Sequence, residues 1–146
     1  MQLAPDARLG DTPDAVPALA DVHDRAALAV SAEAVGIMAV LLQKTVDYAK
    51  TRRQFGVPIG QFQALQHRMA DMFIELEQAR SVLLMALLTA DAGGNVPRAV
   101  SAAKSRIGRA ARRLGEEAIQ LHGGIGVTDD LDVGQEFAND YERTKV

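Results

Sequence analysis

Two stretches of this chain carry residue types that could do chemistry. The first is Thr51-Arg-Arg-Gln-Phe-Gly-Val-Pro-Ile-Gly60, followed by Gln61-Phe-Gln63. The second is Ala118-Ile-Gln-Leu-His-Gly-Gly-Ile-Gly126. Arginine beside a glycine-shaped backbone suits a diphosphate, because a guanidinium makes charge-assisted and often bidentate bonds to phosphate oxygens. Paired glycines let a backbone approach a ligand with no β-carbon in the way. By composition alone the plainer reading, two ordinary helix ends, is favoured.

Other chemistries fail on spacing. A di-metal helical bundle needs Glu-x-x-His pairs, but Ala20, Ala64 and Ile119 stand three residues before His23, His67 and His122. His67 and Asp71 have the i, i+4 spacing of a solvated surface pair. A serine hydrolase needs its serine in a strained turn; Ser31, Ser81, Ser101 and Ser105 all fall in expected helices. Neither a Walker loop nor a Gly-x-Gly-x-x-Gly after a strand is present. With no cysteine, thiolate metal sites and disulfides are excluded, and no metal site is expected. The cluster Lys104, Arg106, Arg109, Arg112 and Arg113 reads as the wet face of a helix. A net charge of −3 and no interleaved aromatics argue against nucleic acid.

The elements that must position those two stretches are helices. Alanine and leucine dominate an apolar fraction of 48%, with aromatics at only 4%, and both residues cost little in a helix. Prolines at 5, 13, 17, 58 and 97 leave three long proline-free runs. The first helix is expected from near Pro17–Asp21 to Thr51, with Leu28, Val35, Leu42, Val46 and Ala49 inward. Gly36 in its middle points to a close helix crossing. The second runs from about Phe62 to Ala92 on a stripe of Leu65, Met69, Met72, Phe73, Leu76, Leu83, Leu87 and Ala90. Glycine then proline ends it at Gly93-Gly-Asn-Val-Pro97. The third covers about Arg98–Leu121, burying Ala99, Ala103, Ile107, Ala110, Leu114, Ala118 and Ile119. A short fourth helix is expected within 129–143. The fold class is therefore all-α: an antiparallel up-down bundle of three long helices plus a short fourth. Residues 1–17 form an extended lead and 18–146 the bundle domain. No signal peptide and no run of ~18 uninterrupted apolar residues is found, so a cytoplasmic protein without a membrane span is expected.

In this order, the two stretches and the helices between them resemble the acyl-CoA dehydrogenase family. The resemblance rests on Tyr48-Ala49, Arg52, Gln54-Phe55-Gly56, Pro58-Ile59, Phe62-Gln63, Ala70-Asp71-Met72, Ala79-Arg80, Ala103-Lys104, Ala118-Ile119-Gln120 and Gly123-Gly124-Ile125-Gly126. It is specific as an ordered set and spans residues 25–128. In wording it is similar to small subunits of two-subunit acyl-CoA dehydrogenases. It implies a C-terminal helical domain that contacts FAD in a neighbouring subunit and builds a homo- or hetero-oligomer. Arg52 would then sit at the diphosphate with Gln54 and Phe55 beside it. Gln63 would hydrogen-bond the cofactor, and Gln120, Leu121, His122, Gly123 and Gly124 would line the adenosine end. The lead resembles the exit of the family's middle β-domain.

The family reaction removes the α-proton of an acyl-CoA thioester with a carboxylate while the β-hydride moves to flavin N5. Most members carry that base in a Tyr-Glu-Gly-Thr segment, which is absent here. Arg143 follows Tyr141-Glu142 in place of glycine, so Glu142 is not assigned. Asp24 is the nearest acid at the alternative position, and it matches only with a two-residue shift. Glu33, further along the same helix, reads as a packing or solvated acid. The expectation is part of an acyl-CoA dehydrogenase, inert alone, with acyl-CoA and electron-transfer flavoprotein as partners of the complete enzyme only. The competing expectation is a non-catalytic helical partner that has lost flavin.

Overall fold

The computed structural model describes residues 14–127, 133–135 and 138. Three long helices account for most of them: α1 (Val16–Thr51), α2 (Gln63–Asp91) and α3 (Val96–His122). Between α1 and α2 lie a two-strand hairpin, β1 (Arg53–Gln54) with β2 (Val57–Pro58), and a 3-10 turn, Ile59–Gln61. A second 3-10 turn, Gly123–Val127, follows α3.

Each helix begins and ends for a local reason. The Asp14 carboxylate accepts the Val16 N–H at 2.9 Å, and Pro17 sits in the first turn, where its missing N–H costs nothing. At Arg52 the backbone turns extended, and the Arg52 carbonyl accepts from Ile59 N–H at 2.8 Å. The helix therefore passes directly into the hairpin. Helix α3 is capped by Asn95, whose side chain accepts from Arg98 N–H at 3.3 Å.

Side-chain contacts fix the directions of the helices. Early α2 meets late α3 through Arg68–Glu117 and Glu75–Arg113, so these two run antiparallel. Late α1 meets late α3 through Tyr48 and His122, so those two run parallel. The bundle is up-down-up, and both chemistry-bearing stretches fall at one end of it.

Helix α3 packs on both of the others, which explains its small residues. Ala103, Ala110, Ala111, Leu114 and Ala118 have no exposed surface. Met38 and Leu41 of α1, Met72 of α2 and Ile107 of α3 fill the space between helices. Burying such a side chain stabilises by roughly 1.5–3 kcal/mol. The buried hydroxyls of Ser31 and Thr45 donate to the carbonyls of Ala27 and Leu41, each at 2.7 Å. Val133 is buried against the same core, and residues 133–135 and 138 are helical where the short fourth helix is expected.

Four expectations are corrected. Val16 and Pro17 belong to α1 rather than to the lead; residues 1–13 lie outside the described residues. The α2 stripe is partly displaced: Phe73 and Leu87 are exposed, while Ala79 and Ala86 are fully buried. Gly36 is no helix crossing, since an added Cβ there would meet nothing within 4 Å. The basic face of α3 is only partly wet. Arg106 and Arg113 both reach across to Glu75 of α2 at 2.7 and 3.0 Å, and burial lowers the Lys104 ammonium from its ordinary value. Among the described residues one helix, α1, is long and apolar enough to cross a membrane by length and composition. Here it carries nine of the buried residues of the bundle.

Candidate functional site

The hairpin after α1 closes on a short turn. Arg53 pairs with Pro58 and Gln54 with Val57, leaving Phe55-Gly56 as a two-residue loop. Both loop residues have positive φ, 54° and 84°, as a type I′ hairpin turn requires. Glycine meets that requirement without cost; phenylalanine is strained in it. Phe55 is also 91% exposed. Its one ring contact among the described residues is edge-to-face with Phe62, centroids 6.2 Å apart. Strain and exposure in one aromatic side chain mark a contact surface better than they mark a core.

The hairpin separates two adjacent arginines. Arg53 donates from Nη2 to the Gly56 carbonyl at 3.2 Å and so ties the turn together. Arg52 has no side-chain hydrogen bond or ion pair among the described residues. It lines an open groove of ≈ 430 Å³ instead. Gln66 reaches back to the Gly60 carbonyl at 2.8 Å and holds the 3-10 turn onto the start of α2.

The opposite wall is the end of α3. His122 is 5% exposed, and its Nδ1 lies 2.8 Å from the Ala118 carbonyl. A carbonyl only accepts, so Nδ1 carries the hydrogen of this contact. Tyr48 packs its ring on His122 at 4.5 Å and donates from its hydroxyl to the His122 carbonyl at 3.4 Å. These contacts clamp the end of α3 to the end of α1 beside the hairpin.

The glycines after His122 are not equivalent. A Cβ on Gly126 would stand 2.8 Å from the Ile119 carbonyl oxygen and 2.9 Å from the His122 Cβ, so packing demands glycine there. A Cβ on Gly124 would meet nothing within 4 Å. Gly124 lines the groove, and an added methyl there has only open space to enter.

The groove gathers Arg52, Gln54, Gln120, Leu121, His122, Gly123 and Gly124 from the expected set, together with Tyr48, Ile59, Leu65 and Arg68. Phe55 and Gln63 belong to the same end but do not line it. Sequence reasoning misses Arg68 because it sits within α2 beyond the first loop, and it reads Leu65 only as part of the apolar stripe of α2. Tyr48 is visible in the sequence as a motif residue, but its place against His122 is not. An uncommitted guanidinium, side-chain amides and an open glycine backbone together suit an elongated anion with polar groups, such as a nucleotide diphosphate.

Asp24 lies elsewhere. It lines a second cavity with Asp21, Arg25, Leu28, Leu87, Ala90, Asp91 and Val96, at the other end of the bundle. Its carboxylate is 3.9 Å from His23 Nδ1. Asp24 and Arg52 are separated by most of α1, about 40 Å at the rise of an α-helix. Within one chain they do not share a site.

Comparisons with known proteins bear on the fold and its family. Residues 21–144 match the family described as acyl-CoA dehydrogenase, C-terminal domain. The chain is 44% identical over 114 residues to acyl-CoA dehydrogenase IpdE2 of Mycobacterium tuberculosis, covering 77% of this chain and 34% of that protein. Among solved structures, PigA with FAD and proline matches 81% of this chain and 31% of its own, with a TM-score of 0.76 and 36% identity. The ChsE4-ChsE5 complex from Mycobacterium tuberculosis matches 84% of this chain and 33% of its own, with a TM-score of 0.76 and 30% identity. The chain spans about a third or less of the length of the curated relatives it matches.

Proposed function

The chain belongs to the acyl-CoA dehydrogenase family, through that family's C-terminal domain, and from that premise we propose that it is the FAD-contacting, oligomerising portion of such an enzyme. The carrying observation is that both loops converge on one groove, with Arg52 uncommitted on one wall and Gly124 open on the other. The whole enzyme would perform α,β-dehydrogenation of an acyl-CoA thioester. FAD, when bound, supplies the hydride acceptor of that reaction.

The residues at this groove bind and orient rather than react. Arg52 would neutralise the diphosphate, with Gln54 and Gln120 as hydrogen-bond partners at the rim. Leu121 and His122 would wall the adenosine end, and the Gly123-Gly124 backbone would let it approach. Phe55 and Gln63 would meet the cofactor from outside the groove. The similarity to PigA with FAD bound supports the cofactor. The similarity to a ChsE4-ChsE5 complex supports assembly with a second, different chain. Asp24 remains the candidate base. Given its distance from Arg52, it would serve a different active site from the one whose cofactor this groove holds. We also propose a cytoplasmic location, and electron-transfer flavoprotein as redox partner of the complete enzyme.

Purified without a partner, the chain should quench flavin fluorescence saturably and show no turnover of acyl-CoA with an artificial electron acceptor. Turnover by the chain alone would sink the claim that it is only the cofactor-holding portion. Absence of any FAD quenching would favour a helical partner that has lost flavin.

A further inference from the structure

The groove holds a second arginine that neither loop supplies. Arg68 comes from α2 and lines the groove beside Arg52. Its Nε donates to Glu117 Oε2 of α3 at 2.6 Å, and no other hydrogen bond of its guanidinium is found among the described residues. Held by one edge, a planar guanidinium keeps its two Nη groups aimed in a fixed direction as a ready fork for an anion. The pair is about one-third exposed on each side, so it is neither sealed in the core nor free in solvent. Below it lies a small cavity of ≈ 30 Å³ lined also by Asp71, Met72, Glu75, Arg113 and Leu114, where Glu75 in turn binds Arg113. Glu117 is thus anchored on α3 behind a row of ion pairs joining the two helices.

We propose that Arg68 is the second cation of the anion grip in this groove, and that Glu117 is its positioning residue. The inference rests on the groove being the cofactor's diphosphate site. Two arginines from different elements, one in the loop and one on a rigid helix, would hold a diphosphate from two sides. The bland alternative is an interhelix ion pair that only stabilises the bundle; such a pair is worth little when partly exposed.

The test titrates the full chain with ADP, with adenosine and with FAD, reading binding by calorimetry or flavin quenching. Arg68→Gln should weaken ADP and FAD by about tenfold, the usual loss of a charge-assisted contact, and leave adenosine unchanged. Arg68→Lys should keep part of the affinity, because it retains the charge without the fork. Glu117→Gln should weaken ADP by a smaller factor, and the double variant should be no worse than Arg68→Gln alone. Helix content by circular dichroism identifies any variant that fails to fold, and Arg68→Lys then carries the test. The inference is overturned if Arg68→Gln leaves ADP affinity intact while Arg52→Gln abolishes it, or if Glu117→Gln tightens binding. If the unsubstituted chain binds neither ADP nor FAD, the reading of the groove and this inference fall together.

Discussion

At the residue scale, the two loops differ in what glycine is for. Gly126 is demanded by the fold, since a methyl there collides with the backbone of the preceding helix. Gly124 is demanded by nothing among the described residues. Gly126→Ala should therefore destabilise the bundle by about 1–3 kcal/mol, the usual range for overpacking. Gly124→Ala should leave stability within about 0.5 kcal/mol yet weaken FAD binding, because its methyl enters the groove. Thermal melts and flavin titrations of the two variants check this pair. If Gly124→Ala binds as well as the unsubstituted chain, the groove is not used at that wall. The sequence makes the residues of this site legible as two motif loops, and the groove unites seven of the nine expected positions. Residue type alone does not distinguish Arg52 from Arg53; the family resemblance selects Arg52. Only the hairpin register commits Arg53 to the Gly56 carbonyl and leaves Arg52 to the groove.

At the scale of elements, the periodic pattern places α1, α2 and α3 with ends correct to within a few residues. Proline and glycine punctuate the chain strongly, and such signals act locally. The buried faces of α1 and α3 are also legible, down to the alanines of α3. The α2 face is less so. It is apolar on more than one side, with Phe73, Ile74, Leu84, Met85, Leu87 and Leu88 exposed, and periodicity cannot choose between two apolar sides. What orients α2 is polar. Glu75, with a side chain only 16% exposed, accepts from Arg106 and from Arg113 of α3. Glu75→Ala would leave Arg106 without that carboxylate in a half-buried position. We expect a loss of about 1–3 kcal/mol, in the range of hydrogen bonds to charged groups, read by urea denaturation. Glu75→Ala and Arg106→Ala should be non-additive, since they share one contact; fully additive losses would show that the bridge does not orient the helices.

At the scale of the whole molecule, the leftover apolar side of α2 is the feature that its own core does not explain. Leu84, Met85 and Leu88, flanked by Ser81 and Ala92, line one open surface hollow at helical spacing. Exposed contiguous apolar patches of this kind mark association surfaces more often than solvent faces. Under the proposed function the groove would hold its ligand for another active site, and that reading calls for contact with other polypeptide. The same reading places the proposed roles of Asp24 and Arg52 at separate cavities, about 40 Å apart along α1, too far for one chain to bring both to one cofactor. The 15.6 kDa chain should therefore associate in solution. Leu84→Glu with Leu88→Glu should shift it to a species of monomer mass by light scattering while helix content and flavin quenching persist, because both residues lie outside the groove and the core. A monodisperse monomer of the unsubstituted chain would remove the argument that this face is an interface between copies. The face would then be left to a second, different chain, which should restore association when mixed in and fail to do so with the doubly substituted variant.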